Sequence, residues 1–125
     1  MTKPVGGTDK GFMLARDPEL FGNRSRTSVL LAIRLLVETY PSELASVLGL
    51  RLFSVQLILK SLEGESVVVS RLLGRTRCVS LNPQYFAQSE LSALLWKIGK
   101  QDVALQELLS ARRRRPRRAG KPGLD

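Results

Sequence analysis

Residues 42–62 read SELASVLGLRLFSVQLILKSL, and this stretch decides the fold. Ser42 to Leu50 suits a short helix, with a hydroxyl cap at Ser42, an acid, Glu43, in the first turn, and Gly49 to end it. From Arg51 to Leu62 the residues Val55, Ile58, Leu59 and Leu62 recur at helical spacing, which predicts a second helix burying that stripe against the first. Two helices that cross closely and steeply need a small residue at the crossing, a glycine for the turn and an aliphatic anchor beyond it. Ala45, Gly49 and Val55 stand at those places, so the segment reads as a helix-turn-helix.

The residues that follow extend the motif. Val67-Val68-Val69-Ser70 is short and β-branched, Leu73-Gly74-Arg75 supplies a turn, and Thr76-Arg77-Cys78-Val79-Ser80-Leu81 reads as a returning strand. The expected hairpin carries Arg71, Arg75 and Arg77 and no acid of its own. A helix-turn-helix running into a basic hairpin is a common way to grip duplex DNA.

The run SELASVLGLRLFSVQLILKSLEGESVVVSRLLGRTRCVSLNP, residues 42–83, resembles the core of the winged helix-turn-helix transcriptional regulators of the ArsR and MarR kind. With the preceding helix the likeness covers about half the chain. It implies a mainly α fold with a small β-hairpin wing and a long C-terminal helix. It also implies a transcriptional regulator that places a recognition helix, about 52–62, in the major groove and a wing, 67–81, on the phosphate backbone. The family commonly dimerises through a terminal helix, and a very short strand near residue 40 pairs with its wing.

Around that core the chain divides into four parts. Residues 1–22 hold Pro4, Gly6, Gly7, Pro18 and Gly22 with little periodicity and read as a flexible arm. Residues 23–87 form the predicted DNA-binding domain, beginning with a central buried helix from Arg26 to Thr39 that is apolar over most of its circumference. Tyr40-Pro41 interrupts it, because proline disfavours helical geometry in the residue before it. Residues 88–111 read as one dimerisation helix, capped by Ser89 and starting near Glu90. Leu91, Leu94, Leu95, Ile98, Leu105 and Leu108 form its seam, and Gln101 and Gly99 weaken it. Residues 112–125 read as a disordered arginine-rich tail.

Charge is unevenly placed. The net charge is +9, but residues 111–125 hold six arginines and one lysine against Asp125, while residues 1–110 hold 13 basic and 10 acidic side chains, a balance of +3. The DNA reading therefore depends on placement. Candidate contacts are Arg24 and Arg26 before the first long helix, Arg51, Phe53, Ser54, Gln56, Leu57 and Lys60 on the recognition helix, and Arg71, Arg75 and Arg77 on the wing. Gln56 has the amide geometry to read adenine, Ser54 suits a base or phosphate, and Lys60 suits phosphate.

Three positions depart from the family pattern. Arg51 stands where Ser or Thr usually caps the recognition helix, Leu57 where a polar residue is frequent, and Ser66 where glycine is common before the wing. Phe53 and Leu57 make an apolar stripe, which suits a thymine methyl or a protein partner. A winged-helix interaction module using Phe53 and Leu57 is thus an alternative, and an RNA-binding protein acting through the tail is another.

Other classes find little support. The chain has no histidine, one cysteine, no phosphate-binding glycine loop and no carboxylate pair with acid–base spacing. These absences argue against an enzyme, a cofactor and the thiolate–imidazole metal sites of metal-sensing relatives. No apolar run is long enough for a bilayer and no signal peptide is present, so the expected partner is double-stranded DNA and the expected location is the cytoplasm, at the nucleoid.

Overall fold

The computed structural model describes residues 19–114, the last three by their backbone alone. Five helices and one hairpin follow in order: α1 (Arg24–Leu36), α2 (Pro41–Leu48), α3 (Leu52–Gly64), β1 (Val68–Leu73), β2 (Thr76–Leu81), α4 (Gln88–Gln101) and α5 (Val103–Arg114). The mainly helical, winged architecture expected from the sequence is present.

Helix α1 begins where the Arg26 N–H donates to the Asn23 side chain at 2.8 Å. Its middle, Val29 and Leu31 to Ile33, is fully buried, so it forms the axis of the core. The helix ends three residues earlier than the expected Thr39. Val37 sits at φ 72° and ψ −58°, and the Glu38 N–H bonds Leu36 O at 2.8 Å, a tight γ-turn of the strained hand. The chain then passes through Thr39, which exchanges backbone hydrogen bonds of 3.0 and 2.7 Å with Val79. This isolated bridge is the short strand expected beside the wing.

In α2 the cap differs from expectation. Tyr40 takes the N-cap position without a side-chain bond and Pro41 opens the helix, so Ser42 lies inside the first turn. Proline is favoured there because the first N–H has no helical partner anyway. Gly49 closes α2 at φ 68°, and the Leu50 N–H returns to Ala45 O at 3.0 Å. Helix α3 then buries Val55, Leu59 and Leu62 and half-buries Ile58.

The hairpin pairs Val68 with Leu81 through to Leu73 with Thr76, leaving Gly74-Arg75 as a two-residue turn with Gly74 at φ 65°. Its neck is closed by Asn82, whose N–H donates to Val67 O and whose Nδ2 donates to Ser66 O, both at 2.9 Å.

The expected single helix over 88–111 is two helices. It starts at Gln88, with Ser89 inside the first turn rather than capping it, and it breaks at Asp102. Asp102 accepts the Leu105 N–H at 3.1 Å and so caps α5, while Gln106 Nε2 donates to Gly99 O at 2.9 Å. The bend lets α5 fold back onto α2, so that Leu105 and Leu109 enter the core. A straight helix would carry them away from it. Gly99 permits close packing on α1: a Cβ there would lie 3.0 Å from Leu35 Cδ1.

Most of the expected arm over 1–22 lies outside the described residues. Glu19–Gly22, however, form a turn in which the Phe21 N–H donates to Thr27 Oγ1 at 3.2 Å and Phe21 packs on the core. The arginine tail also lies outside, except that the backbone of Arg112 to Arg114 continues α5. Arginine is a good helix former, so the expected disorder does not begin at residue 112.

Candidate nucleic-acid interface

The outer side of α3 is set by what its inner side buries. With Val55, Leu59 and Leu62 facing inward, the positions i, i+3, i+4 and i+7 from Phe53 present Phe53, Gln56, Leu57 and Lys60 together. Phe53 is 67% exposed and Leu57 52% exposed, with exposed Gln56 beside them and half-buried Ser54 near the start. Arg51 is exposed in the cap position and makes no side-chain cap bond. No acid occurs between Glu43 and Glu63.

The expected cations divide into two groups. Arg24, Arg51, Lys60 and Arg75 are exposed and have no ion-pair partner among the described residues. Arg26, Arg71 and Arg77 are paired. Arg26 donates to Glu65 at 2.6 Å and to Ser61 Oγ at 2.8 Å, bracing α1 against the end of α3. Arg71 donates to Glu38 at 2.6 Å, and Arg77 donates to Glu63. The wing therefore does have nearby acids, contributed by α3 and by the turn after α1. Exposed pairs of this kind are worth about 0–1 kcal/mol, so they bias these arginines without locking them.

The sequence reading missed one feature of the wing. Leu72 and Leu73 are exposed, Leu72 by 71%, although strand alternation predicts that one of two neighbours faces inward. The sheet has only two strands and covers no core beyond its base, so alternation carries little information near the tip. Cys78 is a half-buried free thiol opposite Arg71.

The proposed dimer seam is split by the bend. Leu95 and Leu105 are 0% exposed inside the protomer, so they are core residues and not interface residues in this fold. Leu91 and Ile98 are half-buried against the same core, leaving Leu94 at 43% and Leu108 at 39% exposure. Trp96 carries the Arg34 guanidinium 4.8 Å and the Lys100 ammonium 5.0 Å from its ring centroid.

A pocket of about 300 Å³ lies between α1, the end of β2 and α4, lined by Ile33, Val37, Leu81 and Pro83 with Arg34 and Glu38 at its polar side. Among the described residues no three His, Cys, Asp or Glu side chains come together as a metal site. No described helix is long and apolar enough to cross a membrane. Asp102 is the one described group whose acidity is clearly moved: burial raises its pKa, opposed by hydrogen bonds from the Leu105 and Ala104 N–H groups.

No protein-family profile and no curated protein sequence matches the chain. Solved structures do. Apo MarR from Escherichia coli superposes with a TM-score of 0.53 at 22% identity, over 76% of this chain and 70% of that one. A cysteine-to-serine variant of E. coli MarR complexed with operator DNA gives 0.52 at 23% identity, over 74% and 65%. A cysteine-to-serine variant of Lactococcus lactis ZitR gives 0.54 at 12% identity, over 86% and 67%. The chain spans about two thirds of the length of these neighbours, and its fold is the winged helix of the MarR regulators.

Proposed function

We propose that the protein is a DNA-binding transcriptional regulator of the MarR type that acts by binding alone, from the cytoplasm at the nucleoid. In this reading α3 enters the major groove and the wing flanks the phosphates. The observation that carries it is the outer side of α3, which projects Phe53, Gln56 and Leu57, lacks any acid, and has at its two ends Arg51 and Lys60, exposed and without an ion-pair partner among the described residues. A structural neighbour, E. coli MarR, is seen with operator DNA. Arg24, Arg51, Lys60 and Arg75 are assigned to phosphate, and Arg71 and Arg77 join them when DNA competes with their carboxylate partners.

A symmetric dimer completes the proposal, formed through the exposed apolar positions Leu94 and Leu108 on α4 and α5. The test of function is duplex binding by the whole chain: a preferred duplex bound more tightly than a scrambled one supports it, and equal binding of all duplexes refutes it.

One observation favours a second reading. The large exposed side chains Phe53 and Leu57, one helical turn apart on α3, form an apolar ridge of the kind that docks a protein. A Phe53→Ala variant that loses a protein complex while keeping its DNA affinity would favour that reading.

A further inference from the structure

The outer side of α3 limits what it can read. From Leu52 to Leu59 the sequence is LFSVQLIL, without Arg, Lys, Asn, Asp or Glu. Bidentate reading of guanine uses Arg or Lys, and acceptance from cytosine N4 uses a carboxylate. Neither chemistry is available on this segment. Of its polar side chains, Ser54 is half-buried and Gln56 is exposed, so Gln56 is the one amide projecting outward. The remaining outward surface is apolar, with exposed Phe53 and Leu57 one turn apart on one i, i+4 ridge and Gln56 beside that ridge at i+3 from Phe53.

In a major groove the apolar group available to such side chains is the C5-methyl of thymine. We infer that this protein recognises its site through thymine methyls, packed by Phe53 and Leu57, with Gln56 beside them paired to an adenine edge. The inference rests on the DNA-binding reading above and names the bases that reading leaves open. The spacing fits: four residues of helix advance about 6 Å. That is close to two base-pair steps of roughly 3.4 Å each, so the two side chains meet methyls on different base pairs.

Charge favours a polyanionic nucleic-acid occupant over a basic or neutral peptide. Arg51 and Lys60 stand at the two ends of the apolar row without an ion-pair partner among the described residues, where duplex phosphates would border a groove. The nearest acids in sequence beyond Lys60, Glu63 and Glu65, are paired with Arg77 and Arg26. The specific site is therefore rich in A·T pairs at its centre, and its affinity depends on a methyl group that carries no hydrogen bond and no charge.

The test replaces thymine by deoxyuridine, which removes the C5-methyl and leaves the Watson–Crick edge intact. A preferred duplex is first selected with the whole chain, and its thymines are then exchanged one at a time. Loss of a contacted methyl is expected to weaken binding by about fourfold, the equivalent of one buried carbon at roughly 0.8 kcal/mol. Exchange at two contacted positions is expected to weaken it by about tenfold or more. The Leu57→Ala and Phe53→Ala variants, altered at exposed positions that the core does not use, should each lose the discrimination at one of those positions. Equal affinity for the thymine and uracil duplexes overturns the inference while leaving DNA binding intact. Failure to select any preferred duplex overturns the DNA-binding reading and this inference with it. Variants that discriminate as the wild type does would assign the methyl contacts to other residues and also overturn it.

Discussion

Arg77 on β2 donates to Glu63 in the last turn of α3, joining the wing to the end of that helix. Together with Arg71–Glu38 this pair holds two wing arginines against acids, leaving Arg75 at the tip unpaired. Replacing both Glu63 and Glu38 by Gln is expected to raise duplex affinity several-fold and to steepen its salt dependence. Each added phosphate contact contributes about 0.9 to the log–log slope. Arg75→Ala should weaken binding and flatten the slope by about that amount without moving the thermal midpoint. Fluorescence anisotropy across a salt series reads both effects. Unchanged slopes in both variants would remove the wing from the interface.

Among the described residues two non-glycines occupy the left-handed half of backbone space, Val37 at φ 72° and Ser66 at φ 65°. Ser66→Gly and Val37→Gly are each expected to stabilise the fold by about 0.5–1 kcal/mol, the relief of Cβ strain less the entropy of the freer glycine. Gly49→Ala should cost about 1–2 kcal/mol on backbone grounds alone, because a Cβ there meets no atom within 4 Å. Chemical denaturation of the three variants measures the signs, and a destabilised Ser66→Gly would contradict the account of the neck.

On both sides of the bend at Asp102, buried leucines alternate with exposed ones, Leu95 and Leu105 against Leu94 and Leu108. Leu105→Ala is expected to cost about 2–5 kcal/mol of folding stability, since Leu105 is fully buried in one protomer. Exchanging Leu94 and Leu108 for lysine should leave the protomer folded and remove the dimer. Light scattering at high micromolar concentration distinguishes the two effects, and a monomeric wild type would remove the dimer.

Asp102 is a buried carboxyl whose Oδ2 lacks a hydrogen-bond partner and whose pKa is raised by burial. A carboxyl with a folded pKa above its unfolded one binds its proton more readily in the folded state. Stability from this group therefore falls as pH rises through the unfolded and then the raised folded pKa, and returns as pH is lowered. Asp102→Asn can cap the helix but cannot titrate. Relative to it, the wild type should gain stability as pH decreases from neutrality toward the carboxylate range. Thermal melts of both proteins over that range check the difference, and the opposite trend would contradict the burial account.

Local signals made the centre of the fold legible. Gly49 in the turn, the Val55–Leu59–Leu62 stripe and Gly74 in the hairpin each act through neighbouring residues, and each stands where the sequence places it. What escaped depends on distant parts of the chain. Glu38, Glu63 and Glu65 reach arginines 33, 14 and 39 positions away, so inspection of the hairpin alone finds basic residues and no acids. The break at Asp102 lies in a run with neither proline nor an adjacent glycine, and it exists because Leu105 and Leu109 gain a core by folding back. An aspartate three residues before a buried leucine was a capping signal, outweighed by the continuous heptad of leucines.

The central claim is that α3 reads duplex DNA. Its most direct measurement is selection by the whole chain from a library of randomised duplexes at about 200 mM salt, where charge-driven binding by basic segments is weakened by up to roughly a thousandfold relative to low salt. The expected result is one enriched motif with A·T pairs at its centre, lost on replacing Gln56 and Leu57 together by alanine. A library that emerges without enrichment, or a motif retained by that variant, would contradict it.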